Sequence, residues 1–285
     1  MKLQIIYTFY IGDNDCNNKI YQLHYYWLER ISRDVDKITF IIMHDGNMWD
    51  DVVLRIKSKI LSIIKSKEVN IIVEPNYAEY REGYYYKKYI IDKLDDYDDY
   101  LTFFAHSKGI SNPDNYHNLE NLFEWINAMY FFNFKYLDEM KAKLSNYNVY
   151  DLANNYITFG TLYFKDYRHN NVHNWFYSGS FHWINTSKLS KYIKENNIDI
   201  NGYVCEEGER LKRCAELFIG SILPNKYAAF HNDENYDKDL ELFNHAGWEV
   251  SYTKITDMLI SYLNIDEEQQ FFNDHNNIIN TLHLL

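Results

Sequence analysis

Four consecutive residues, His106-Ser107-Lys108-Gly109, follow the apolar run Tyr100 to Ala105 and combine types that suit a negatively charged ligand. Lysine offers a point positive charge, histidine a donor of tunable charge, and glycine lets a backbone approach a bound group closely. A diphosphate is the natural partner for that combination. The same tetrapeptide also fits a plain strand-ending turn with a solvated lysine, and spacing alone does not separate the two.

Acidic pairs offer other chemistry. Asp13-Asn14-Asp15 lies just after the first apolar run and fits a nucleotide contact or a turn equally well. Asp34-Val35-Asp36 and Asp96-Tyr97-Asp98 precede apolar runs, the wrong end for a ligand, and read as solvated charge. Asp237-Lys238-Asp239 sits in a polar tail. None of these pairs earns a metal assignment. Cys16, Cys205 and Cys214 have neither CxxC spacing nor an even count, so reduced thiols are expected in place of a disulfide or zinc framework.

The elements that must position these groups alternate. Apolar runs at Ile5 to Tyr10, Ile38 to Met43, Val69 to Val73 and Tyr100 to Ala105 predict strands. Between them lie helical stripes, Ile20-Leu23-Trp27-Leu28-Ile31, then Val53-Ile56-Ile60-Ile64, then a tyrosine-rich helix from about Gly83 to Leu94. Successive β-α steps of this kind predict a doubly wound sheet, whose ligand sits beyond the C-terminal strand ends. Thr8, Tyr10, Asp45 and His106 to Gly109 occupy those ends. Further on, a long helix is expected over Leu119 to Leu137 and strands over Val149 to Phe164 and Trp175 to Ile184. Asn185-Thr186 caps a helix running to Glu195. Leu211, Ala215, Phe218, Ile219 and Ile222 form one face of another helix, and helical patches are scattered from Asp233 onward.

Composition narrows the class. With 46% hydrophobic and 25% charged residues the chain is globular. A net charge of -12 disfavours nucleic acid as a partner, because that binding needs many neutralised phosphates. The 28 Tyr, 17 Phe and 6 Trp are too many rings for a core alone, and sugar-binding clefts use such rings, although a coding bias toward Asn, Ile, Lys and Tyr accounts for them as well. No signal-peptide core or bilayer-length apolar run is visible, so a cytoplasmic protein is expected.

Phe103-Phe104-Ala105-His106-Ser107-Lys108-Gly109-Ile110-Ser111 resembles the histidine, serine or threonine, lysine, glycine strand-loop of a group of bacterial and large-virus glycosyltransferases with a GT-A-type fold. Three segments fall in matching order: Glu79-Tyr80; Trp175-Phe176-Tyr177-Ser178-Gly179-Ser180-Phe181-His182-Trp183; and Cys214-Ala215-Glu216-Leu217-Phe218-Ile219-Gly220. The resemblance spans about Lys2 to Leu223. Ser180 stands where the group has asparagine and His182 where it has tryptophan, two departures that bear on acceptor contacts.

What the resemblance implies is transfer of a sugar from a nucleotide-diphosphate donor to a hydroxyl of a glycan or glycolipid acceptor, with inversion expected. The expected fold is α/β, a GT-A-like (Rossmann-like), mostly parallel sheet flanked by helices. Residues 1-230 form the nucleotide-sugar and acceptor-binding domain, and residues 231-285 a helical extension packed on it. His106, Ser107, Lys108 and Gly109 would hold the diphosphate, Thr8, Tyr10 and Asp45 the nucleoside, and Ser178, Gly179, His182 and Trp183 the acceptor. Glu216 would take the acceptor proton. The plain alternative for Glu216 is a helix-surface glutamate, and for His182 a core histidine. Phe181 and Trp183 share one face of their strand, so the core is expected to take most of that face. Where GT-A enzymes usually hold a divalent metal by Asp-x-Asp, this chain has His106-Ser107-Lys108. Either these cations replace manganese or magnesium, or groups such as Asp45 or His231 hold the metal. Outside the class of enzymes, a non-catalytic nucleotide or sugar binder would keep the cleft without the base. A metal-dependent hydrolase is a third reading, with no ligand spacing visible for it.

Overall fold

A computed structural model describes residues 1–11, 19–44, 50–75, 81–97, 99–107, 119–145, 156–160, 163–165, 175–177, 181–200, 219–220, 222–223, 227–229, 260 and 263–283. Each β-branched run becomes a strand: β1 (Lys2–Ile11), β2 (Lys37–His44), β3 (Glu68–Pro75) and β4 (Tyr100–His106). The amphipathic stretches between them become α1 (Lys19–Ile31), α2 (Asp50–Ile63) and α3 (Arg81–Tyr89), and a 3-10 helix over Ile91–Tyr97 leads into β4. After these come α4 (Leu119–Lys135), α5 (Leu137–Ser145), β5 (Thr158–Gly160), β6 (Tyr163–Lys165), β7 (Trp175–Tyr177), β8 (His182–Asn185), α6 (Thr186–Glu195), β9 (Tyr227–Ala229) and α7 (Ile265–His283).

Seven strands form one sheet in the order β3-β2-β1-β4-β8-β5-β9, while β6 and β7 pair separately. The β3-β2, β2-β1, β1-β4 and β5-β9 pairs are parallel, and only β8 runs against its two neighbours. The α/β, mostly parallel architecture expected from the sequence is therefore present.

Alternation along the strands gives the sheet two buried faces. Tyr7, Phe9, Phe40, Phe103 and Trp183 join one apolar cluster with α1, α2, α4 and α7. Ile6, Ile41, Phe104 and Ile184 join a second with α3, α6 and the helical residues Ile219 and Ile222. α7 is held on the first side by Phe271, packed edge-on against Phe131 at 5.3 Å, and by the Arg30–Asp274 ion pair at 3.2 Å.

Several boundaries differ from expectation for local reasons. The tyrosine-rich helix stops at Tyr89 and the chain tightens into the 3-10 turn, which carries part of the acidic run. The helix expected over Leu119 to Leu137 is α4, ending at Lys135; a further helix, α5, follows after a break at Tyr136 that no glycine or proline announces. Among the described residues, the segments Val149 to Phe164 and Trp175 to Ile184, where strands were expected, hold four short strands serving two different sheets. Asn185 caps α6 as expected, its side chain accepting from the Lys188 N–H at 2.9 Å.

The acidic pair ending at Asp36 lies at the N-terminal edge, where the Asp36 carboxylate accepts from the Leu3 N–H at 3.0 Å and from Lys67 at 2.7 Å. The Lys67 ammonium and the Leu3 N–H hold its pKa below the usual carboxylate value. Lys67 is exposed, so its share is small. Asp36→Ala is expected to cost about 1 kcal/mol, chiefly from the Leu3 N–H left without its acceptor. A depressed folded pKa stabilises above the unfolded value near ~3.9 and stops doing so as pH falls through the folded one. Urea unfolding at pH 7 and at pH 3 should therefore show the difference from wild type shrinking at the acid end.

Candidate functional site

The strand order reverses between β1 and β4. From β1 the chain steps to β2 and β3 on one side, then returns to lay β4 on the other. In doubly wound sheets the C-terminal strand ends at such a reversal are where ligands bind; here the helices that follow β1 and β4, α1 and α4, pack on the same face. Thr8, Tyr10, His106 and Ser107 meet there.

His106, the last residue of β4, lies opposite Thr8 in register. Ser107 carries the pairing one step past the strand: its N–H donates to the Thr8 carbonyl at 3.0 Å, and its hydroxyl accepts from the Tyr10 N–H at 2.8 Å. Serine at this position thus has a structural duty that its expected ligand contact did not include. It satisfies a backbone donor and fixes where the chain leaves the sheet at the β1-β4 gap. Thr8 is fully buried and its hydroxyl has no hydrogen-bond partner among the described residues. Such a group costs about 1–3 kcal/mol while unpaired, which makes this position sensitive to anything polar that reaches the gap.

His106 is only 5% exposed, with its imidazole edge-on to the Phe181 ring at 5.8 Å and 75°. Phe181 in turn meets Tyr130 of α4 at 5.0 Å. The imidazole at the strand exit is therefore backed by aromatic packing.

His182 and Trp183 point to opposite faces of β8, as alternation requires, and both are fully buried. The His182 Nε2 and the Tyr86 hydroxyl of α3 are 3.0 Å apart, and the ring lies 6.1 Å from Phe104. Trp183 packs 5.0 Å from Phe103 and 5.4 Å from Phe134, and its indole N–H donates to the Asn133 carbonyl at 3.2 Å. Both side chains occupy core positions, because β8 is an interior strand with both faces covered.

Asp45, Lys108, Gly109, Ser178, Gly179 and Glu216 lie outside the described residues, as do Glu79-Tyr80, Ser180 and His231. Their flanks are described. β2 ends at His44, the register partner of Ile11, and Asp45 is the next residue in the sequence. Ile219, three residues after Glu216, is buried in the cluster that also contains Met43 and Tyr86.

Two groupings escaped the sequence. At the end of β3 the Glu74 carboxylate accepts from Lys88 at 2.6 Å and from the Tyr89 hydroxyl. Burial works to raise the Glu74 pKa, but those two donors outweigh it and hold it below the ordinary value. On the other face, Tyr7, His24 and Tyr130 converge: His24 Nδ1 is 2.9 Å from the Tyr7 hydroxyl and 3.0 Å from that of Tyr130, which donates to Tyr7 at 3.1 Å. Burial pushes the pKa of both tyrosines well up, so both stay protonated. The available signal was His24 itself, an imidazole on the inner stripe of α1. Among the described residues no three His, Cys, Asp or Glu side chains gather as a metal site, and no helix is long and apolar enough to cross a membrane. The chain matches no protein-family model, and no curated protein is similar to it.

Proposed function

We propose that this chain is a GT-A-like glycosyltransferase that moves a sugar from a nucleotide-diphosphate donor to a hydroxyl of a glycan or glycolipid, with inversion at the transferred carbon. The observation that carries this reading is the reversal of strand order between β1 and β4, with His106 and Ser107 at its lip. His106 and Ser107, which open the motif that resembles the glycosyltransferase strand-loop, stand at the strand end beside this reversal.

In the proposed reaction the acceptor hydroxyl attacks the anomeric carbon, Glu216 takes its proton, and the bond to the diphosphate oxygen breaks with its electron pair leaving on the diphosphate. Lys108 and His106 stabilise the charge that develops on that leaving group, the role a metal otherwise fills. Thr8 and Tyr10 border the gap from the β1 side and, with Asp45, would meet the nucleoside. Ser178 and Gly179, just after β7, would meet the acceptor. With the chain held in the cytoplasm, both donor and acceptor headgroup would be met there.

Nucleoside diphosphate release from a panel of nucleotide-sugars, with and without manganese, tests the proposal. The expected result is release with one donor class and a loss of about 10²- to 10⁴-fold in Glu216→Gln, the usual size of general-base catalysis. Saturable nucleotide binding with no release, and a Glu216→Gln protein identical to wild type, would instead identify a non-catalytic binder. Chelator-sensitive phosphate or glycosidic cleavage without transfer would identify a hydrolase.

A further inference from the structure

We propose that Tyr130 is a positioning residue: locked by the Tyr7–His24–Tyr130 hydrogen-bonded trio, it holds Phe181 and through it the His106 imidazole in the orientation that meets a diphosphate. The proposal rests on the reading of the β1-β4 gap given above and adds residues that no motif marks.

The trio joins three elements. Tyr7 comes from β1, His24 from α1 and Tyr130 from α4, and all three side chains are fully buried. Phenylalanine and leucine would fill the same volume without demanding hydrogen bonds. Buried polar groups gain instead a directional constraint, since each contact holds only over a narrow range of distance and angle. Tyr130 is thereby fixed at its hydroxyl end. One ring face is fixed as well, stacked on Trp27 at 5.6 Å and 11°.

With hydroxyl and face both held, the remaining direction of Tyr130 is spent on Phe181, which it meets at 88°. Phe181 then stands edge-on to His106. Edge-to-face pairs are shallow but orientation-dependent, so a ring allowed to tilt in the core passes that freedom to the imidazole. A second route runs through the backbone, because Tyr7 is the register partner of Ala105, the residue before His106. The trio thus bears on His106 from both its side chain and its main chain.

The test uses the full chain with isotope-labelled histidine, inorganic pyrophosphate as the probe, and His106→Gln to assign the His106 resonance. Tyr130→Phe deletes one hydroxyl, Phe181→Leu deletes the relay ring, and Ile60→Val in α2 is a control of similar destabilisation away from the trio. The expected result is that Tyr130→Phe and Phe181→Leu both displace the His106 ring resonance and weaken pyrophosphate binding about fivefold, the equivalent of one modest hydrogen bond, while Ile60→Val does neither. His106 signals superimposing on wild type in both variants, or moving as much in Ile60→Val, overturn the positioning role. The two proposals fail separately. If wild-type His106 ignores pyrophosphate while Tyr130→Phe still moves its resonance, the diphosphate reading falls and the relay stands. If wild-type His106 responds and the variants match it, the relay falls and the diphosphate reading stands.

Discussion

Trp183→Ala is expected to destabilise the protein by about 3–5 kcal/mol, enough to unfold a domain whose total stability is on the order of 5–15 kcal/mol. The side chain has no exposed surface, contacts Phe103 and Phe134, and satisfies the Asn133 carbonyl through its indole N–H. Truncation removes the apolar contacts, leaves a cavity between β4, β8 and α4, and strips a buried acceptor of its donor. Trp183→Phe separates the core role from a binding one, because it keeps most of the ring and loses only the N–H. In the core reading it lowers the urea midpoint moderately and leaves nucleotide and acceptor binding as in wild type. A variant with wild-type stability that no longer engages acceptor would put Trp183 back in the site.

This result bears on how much the sequence could reveal. The first four strands were legible because each is a compact apolar run closed by a turn or an amphipathic helix, and their crossovers allow only parallel neighbours. The two covered faces of β1 followed from the same logic, and so did the placing of Thr8, Tyr10 and His106 at one edge. Beyond β4 the pattern loses its meaning. Nothing local to His182–Asn185 says that this strand runs antiparallel or that it is slotted between β4 and β5, since strand direction and neighbours are decided by distant partners. Alternation gave most of the Phe181 and Trp183 face to the core, but only the tertiary structure shows the strand to be internal. The trio of Tyr7, His24 and Tyr130 was hidden for the same reason. Each member looks like an aromatic residue on a buried stripe, and only tertiary contact brings hydroxyl, imidazole and hydroxyl together. Ser107 shows the converse case, a residue chosen for its hydroxyl whose hydroxyl is engaged by the Tyr10 backbone.

Lys108→Ala is expected to weaken binding of a nucleoside diphosphate about 10- to 100-fold, the loss that accompanies removal of one charged hydrogen-bond partner, and to leave binding of the free nucleoside nearly unchanged. The asymmetry follows from where the charge lies. Ser107 is fixed to β1 by two hydrogen bonds at the β1-β4 gap, and Lys108 is the next residue in the sequence. A lysine there acts on the phosphates, while the nucleoside is expected to depend on Thr8, Tyr10 and Asp45. Electrostatic attraction of this kind is screened, so the gap between wild type and Lys108→Ala should also narrow as salt rises toward 1 M, where charges interact over only about 3 Å. Calorimetric titration of both proteins with nucleoside, nucleoside monophosphate and nucleoside diphosphate at low and high salt reads all three effects. Equal weakening of every ligand would mean that Lys108 shapes the loop without touching phosphate. A diphosphate affinity independent of both Lys108 and salt would remove positive charge from this edge of the sheet, and with it the electrostatic basis of the proposed transfer.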